Sequence, residues 1–63
     1  MKRVWLVEAR KQKDMSQAKV AHAIGVAPVT YGRYEAGDRT PSPDIATAIG
    51  VILNVPREKF FWP

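Results

Sequence analysis

Apolar side chains recur along the chain with a helical period, and punctuation residues cut that pattern into four or five short segments. The first, about Val4 to Lys13, sets Val4, Trp5, Leu6 and Ala9 among charged residues, and Asp14 ends it. Ser16 opens the next, since its hydroxyl can accept from an orphan amide of a first helical turn. From Gln17 onward the apolar positions are Ala18, Val20, Ala21 and Ile24, with Lys19 and His22 outward. Gly25 follows, where a helix ends in a left-handed residue that glycine adopts without steric penalty. A third segment starts at Pro28, which has no N–H to leave unpaired. It carries Tyr31 and Tyr34, three apart and so on one face, and stops at Gly37.

After the loop Asp38-Arg39-Thr40-Pro41 comes a strong start signal in Ser42-Pro43-Asp44: cap, proline, then an acid at the positive end of the helix dipole. Ile45, Ala48, Ile49, Ile52 and Leu53 then predict one buried stripe, with Asn54 as its C-cap. Pro56-Arg57-Glu58 opens a last turn that ends in Phe60, Phe61 and Trp62. Strand signals are nearly absent. The expectation is an all-α chain: one domain over residues 1–63, a compact bundle of four to five short helices.

Within it, residues 16–37 have the lengths of a helix-turn-helix, two helices of about eight residues around a glycine turn. Each demand of that motif has a residue to meet it. Ala21 is small where the second helix must cross, Gly25 makes the turn, and Val26 plugs the space between the helices. Tyr31 and Tyr34 pin the second helix, whose other face presents Val29, Thr30 and Arg33 behind Pro28.

Composition narrows the functions available. In 63 residues, ten Lys/Arg stand against six Asp/Glu, a formal net charge of +4 that points towards a polyanion, with nucleic acid first and a membrane surface second. No cysteine and a single histidine exclude a thiolate metal site and a zinc site, so no metal and no cofactor is expected. The most apolar stretch, Ile45 to Val55, is interrupted by Thr47, Gly50 and Asn54, whereas a helical span needs about 20 apolar residues. Glu8 and Arg10 break any signal-peptide core, and the cytoplasm is the default compartment. Without a Ser/His/Asp grouping or a glycine-rich phosphate loop, an enzyme acting on a small molecule is not expected.

The chain resembles the Cro/C1-type (phage repressor-like, XRE-like) helix-turn-helix domains. The resemblance rests on Met15-Ser16-Gln17, Val20-Ala21, Ile24-Gly25-Val26, Thr30, Arg33-Tyr34-Glu35 and Gly37. It continues through Arg39, Pro41-Ser42, Leu53-Asn54-Val55 and Phe60-Phe61, and runs from about residue 4 to 61 without a gap. It implies a five-helix domain that binds double-stranded DNA as a prokaryotic or phage transcriptional regulator of the repressor type. The helix about 28–36 would enter the major groove, with Pro28, Val29 and Arg33 facing bases and Thr30 a base or a phosphate. Gln17 and Arg39 would meet phosphates. Arg10 would pair with Glu35, tying the first helix to the third. A second copy on a palindromic operator would be met near the C-terminal end, which makes Phe60, Phe61 and Trp62 the candidate dimer contact.

Three departures from the usual pattern bear on readout. Pro28 and Val29 cannot donate side-chain hydrogen bonds, Ala27 is a weak N-cap, and Gly32 costs about 0.8–1 kcal/mol relative to alanine within a helix. Direct hydrogen-bond readout therefore narrows to Arg33, with Val29 and the Thr30 methyl suited to a thymine methyl. Gly32 either admits a close approach to DNA or is simply tolerated. The plainer reading of the terminal aromatics and Trp5 is core closure between first and last helices. A protein-interaction module, such as an antitoxin or regulatory subunit of a two-protein system, is the alternative function for the same fold.

Overall fold

The computed structural model describes residues 1–61, and each predicted segment is helical in it. The elements are α1 (Val4–Gln12), α2 (Gln17–Ile24), α3 (Pro28–Ala36), α4 (Pro43–Leu53) and a 3₁₀ turn at Arg57–Phe60. No strand occurs among the described residues. Nor is any helix in them long and apolar enough to cross a membrane.

Local chemistry sets the boundaries. Ser16 Oγ accepts from the Lys19 amide at 3.1 Å, and Ser42 Oγ accepts from that of Ile45 at 3.4 Å. Gly25 and Gly37 sit at φ 77° and 82°, and the following amides fold back onto the helices, Val26 to Ala21 O and Asp38 to Arg33 O, both at 3.0 Å. Asp14 and Asn54 take the same left-handed conformation to end α1 and α4. Ala27 gives α3 no side-chain cap, but little is lost by it. Pro28 has no amide, and the Thr30 amide donates to Ala27 O at 3.0 Å, which leaves the Val29 N–H to solvent.

The core draws on every element: Leu6, then Val20, Ala21 and Ile24, then Tyr31 and Tyr34, then Ala46, Ile49, Leu53 and Phe60. Ala21 is fully buried, so α3 crosses α2 closely, and Val26 packs against the core at the turn between them. Burying a single Leu, Ile or Phe stabilises by about 1.5–3 kcal/mol, so a few such side chains decide whether this chain folds.

Two expected faces are corrected. Ala18 is exposed, because the inward stripe of α2 is Val20, Ala21 and Ile24. On α4 the buried line runs through Ala46, Ile49 and Leu53, and Ile45, Ala48 and Ile52 flank it half-buried. Phe60 is a core residue, 5% exposed and edge-on to Trp5 with ring centroids 5.0 Å apart, whereas Phe61 is 47% exposed. Trp62 lies outside the described residues.

Two helical glycines separate propensity from packing. A Cβ at Gly50 would stand 2.7 Å from the Val55 carbonyl oxygen, whereas one at Gly32 would meet nothing nearer than Gln17 Oε1 at 3.5 Å. Gly50→Ala is therefore expected to destabilise by about 1–3 kcal/mol through overpacking, outweighing its gain in propensity. Gly32→Ala is expected to stabilise by up to about 1 kcal/mol. Thermal unfolding should move in opposite directions, by about 4–8 °C per kcal/mol in a domain this small. Shifts of the same sign would refute the distinction.

Candidate nucleic-acid interface

α3 buries one face and leaves the other open. Tyr31, Tyr34 and Glu35 point into the protein, while Val29, Arg33 and Ala36, spaced i, i+4 and i+7, are exposed. The tyrosine rings meet edge-on at 6.3 Å inside the core, which removes them as platforms for stacked bases. Pro28 is exposed at the leading end, Val29 is 66% exposed, and Thr30 is half-buried at the edge of the face. Gln17 begins α2, and exposed Arg39 lies in the loop after Gly37.

Beneath that face lies a buried charge. Arg10 Nε donates to Glu35 Oε2 at 2.6 Å and a terminal guanidinium nitrogen donates to Oε1 at 3.2 Å, so the contact is two-pronged. The other terminal nitrogen donates to Met15 O at 3.0 Å. Gln17 Nε2 adds a third donor to Glu35 Oε1 at 2.8 Å. One carboxylate thus joins α1, α2 and α3. Burial opposes the charged form of Glu35, but the hydrogen bonds from Arg10 and Gln17 outweigh it and hold the carboxyl below its ordinary range. The same contact raises the Arg10 guanidinium above its usual value. Tyr31 Oη is buried without a well-formed hydrogen bond, and burial together with Glu35 pushes its phenol far above the tyrosine range.

A groove of about 420 Å³ opens over this cluster, lined among others by Lys2, Arg10, Lys11, Gln17 and Gly32. It brings the first turn of α2 and three cations to one concave surface beside α3. Because Gly32 has no side chain, nothing of α3 fills the groove at that point. Elsewhere, Arg57 is occupied by Thr47 Oγ1 at 2.9 Å and by Glu58, and Lys59 lies over the Trp5 ring. Among the described residues Lys2, Lys11, Lys13, Lys19, Arg33 and Arg39 make no salt bridge.

Sequence reasoning missed the role of Arg3, which reads as one more cation of a basic N-terminus. One of its terminal nitrogens donates to Tyr34 O at 2.7 Å and to Arg39 O at 2.9 Å, and the other donates to Thr40 Oγ1 at 3.0 Å. Its main-chain N–H donates to Glu35 O at 2.7 Å, and its guanidinium lies 5.4 Å from the centre of the Phe60 ring. Burial lowers its pKa, but an arginine stays cationic at any ordinary pH. These partners are more than thirty residues away in sequence, so no local spacing signals them.

The sign of the Glu35 shift predicts acid behaviour. A carboxyl depressed in the folded state stabilises fully above its unfolded pKa, near 4.3, and that contribution is lost as pH falls through the folded value. Glu35→Gln should flatten this acid limb. Arg10→Met leaves the carboxylate buried and unpaired, at about 3–5 kcal/mol at neutral pH, and should recover part of the loss in acid, where Glu35 takes up a proton. Urea unfolding from pH 7 downward measures both. An Arg10→Met deficit unchanged across that range would rule out the charge pairing as its source.

No curated protein matches the chain. The model of the Helix-turn-helix family matches residues 6–60. That span holds all of α2, the turn at Gly25, α3 and α4, together with both partners of the Arg10–Glu35 pair. The chain belongs to that family, the Cro/C1-type (XRE-like) helix-turn-helix domains of DNA-binding regulators.

Proposed function

We propose that this protein is a transcriptional repressor of a prokaryotic cell or its phage, acting in the cytoplasm by occupying an operator with α3 in the major groove. What supports this reading is the two-sided character of α3, pinned inward by Tyr31, Tyr34 and Glu35 and bare outward at Val29 and Arg33. An anchored helix can present a reading face without surrendering core contacts. Arg33 donates two parallel hydrogen bonds to guanine O6 and N7, and Val29 with the Thr30 methyl contacts a thymine methyl. Pro28 shapes the leading end and makes only apolar contact.

Phosphates supply the affinity. The groove over Gly32 receives one strand, where the main-chain amide of Gln17 and the ammonium groups of Lys2 and Lys11 meet it. Gln17 spends part of its side-chain amide on Glu35 and so joins the contact surface to the fold beneath. Arg39 meets a second phosphate from the loop behind α3. The rate and strength of binding should then fall steeply with salt.

The protein works as a pair on a palindromic site. With Phe60 in the core, Phe61, 47% exposed, is the described aromatic left for contact with a second copy. Recognition helices in such a pair stand about one DNA turn, roughly 34 Å, apart.

Two experiments test these statements. On a duplex selected from random sequence, Arg33→Ala should cost about 1–3 kcal/mol and relax the preference at one base pair, whereas Arg39→Ala should weaken all sequences alike. Equal losses on selected and random DNA would remove Arg33 as a reader. Absence of salt-sensitive duplex binding by the wild-type protein would favour the protein-interaction module, to which exposed Val29 is also suited. Sedimentation of the free protein and of its DNA complex tests the pairing, and a strict monomer in both would refute it.

A further inference from the structure

Arg39 stands in a loop that packs at the buried Pro41 but has few hydrogen bonds of its own. Past the Asp38 amide, the hydrogen bonds reaching residues 39–41 among the described residues come from Arg3: to the Arg39 carbonyl at 2.9 Å and the Thr40 hydroxyl at 3.0 Å. Arg3 is itself fixed at both ends. Its main chain is bound to the Glu35 carbonyl, and its guanidinium is bound to that of Tyr34 and lies over Phe60. A planar guanidinium directs its N–H groups along set lines, and here those lines end on the last turn of α3 and on the loop behind it.

We propose that Arg3 is a positioning residue for DNA binding: by holding the Arg39 main chain against the end of α3, it sets where the Arg39 side chain meets the DNA backbone. The inference rests on the reading of Arg39 as a phosphate contact. Arg39 is exposed, and the loop has no other hydrogen-bond anchor at this point. Release of the clamp leaves the Arg39 main chain held only from either side, by the Asp38 amide and the buried Pro41, and the added freedom of main chain and side chain then opposes binding. A plain helix-capping role for Arg3, through Tyr34 O alone, would stabilise α3 without touching the phosphate contact.

The two roles separate in a coupled pair of substitutions. Arg3→Lys keeps the charge, and with it the long-range attraction, but a single ammonium cannot span the three acceptors. Binding to random duplex DNA is followed by fluorescence anisotropy across a salt series, with folding checked by urea denaturation under the same conditions. Arg39→Ala should weaken binding several-fold and reduce the slope of log K against log salt by about 1. Arg3→Lys should reproduce that reduced slope while folded, and the double variant should bind no more weakly than Arg39→Ala. Thr40→Val, which removes one acceptor at an exposed site, should shift affinity the same way, and it decides the matter where Arg3→Lys does not fold. Wild-type slope in Arg3→Lys, or fully additive losses in the double variant, would overturn the positioning role alone. A wild-type protein without salt-sensitive duplex binding would overturn the DNA reading of Arg39 and this inference with it.

Discussion

The buried Glu35 carboxylate is the constraint on which the rest of the arrangement depends. Its side chain is 3% exposed, and a charge so placed is costly unless donors surround it. Arg10 from α1 and Gln17 from α2 supply those donors at fixed distances and angles, so α3 is held at one rotation about its own axis. A buried ion pair contributes little net stability compared with well-packed apolar residues of the same volume. What it does contribute is discrimination between arrangements. Any rotation of α3 that brings Val29 or Arg33 inward also strands Glu35 away from Arg10. Orientation of the exposed face therefore follows from the buried one.

That support matters because α3 is intrinsically a poor helix. Val29, Thr30 and both tyrosines lose rotamer freedom in a helix, and Gly32 at its centre adds roughly another 1 kcal/mol of penalty relative to alanine. Nine such residues would not hold a helix alone. The tertiary contacts fall where the sequence is weakest: the tyrosines fill the core, Arg10 and Gln17 bind the middle through Glu35, and Arg3 closes the carbonyl end at Tyr34. Side chains on the open face are then relieved of structural duty. Residues of low helix propensity can stand there because the contacts of the buried face offset their cost.

The parts of this design that could be read in the sequence are those encoded within a few residues. Ser16, Gly25, Gly37, Ser42 and Pro43 act through the turn on which they sit, so the helix boundaries lie within a residue or two of expectation. Faces were legible only where polar residues mark the opposite side. In α2, Lys19 and His22 mark the outward side and so define the buried face except at Ala18, whose small side chain fits either environment. α4 was less legible, since Ile45, Ala46, Ala48, Ile49, Val51, Ile52 and Leu53 leave several stripes almost equally apolar, and only packing selects Ala46, Ile49 and Leu53. The Arg10–Glu35 expectation came from family resemblance and not from spacing. Arg3 had neither aid, because its partners are set by the folded chain and a basic N-terminus usually signifies solvated charge.

The magnitudes also bear on how such a small reading face could act. One bidentate arginine–guanine contact is worth about 1–3 kcal/mol of discrimination. A specific site typically stands about 4–10 kcal/mol above random DNA. On the proposed reading Arg33 alone falls short of that range, and methyl contacts from Val29 and Thr30 add increments without the directional penalty of an unpaired donor. The domain measures 26 × 21 × 21 Å, so one copy cannot place reading side chains in two successive major grooves roughly 34 Å apart. A second copy would double the Arg33 share to about 2–6 kcal/mol, which reaches the lower part of that range. Sequence-dependent DNA shape is the other available source, and it would act through the phosphate contacts proposed for Gln17, Arg39 and the groove lysines. With two nonpolar residues at the start of α3, specificity on the proposed reading has to come from the spacing and shape of the whole site more than from its individual base edges.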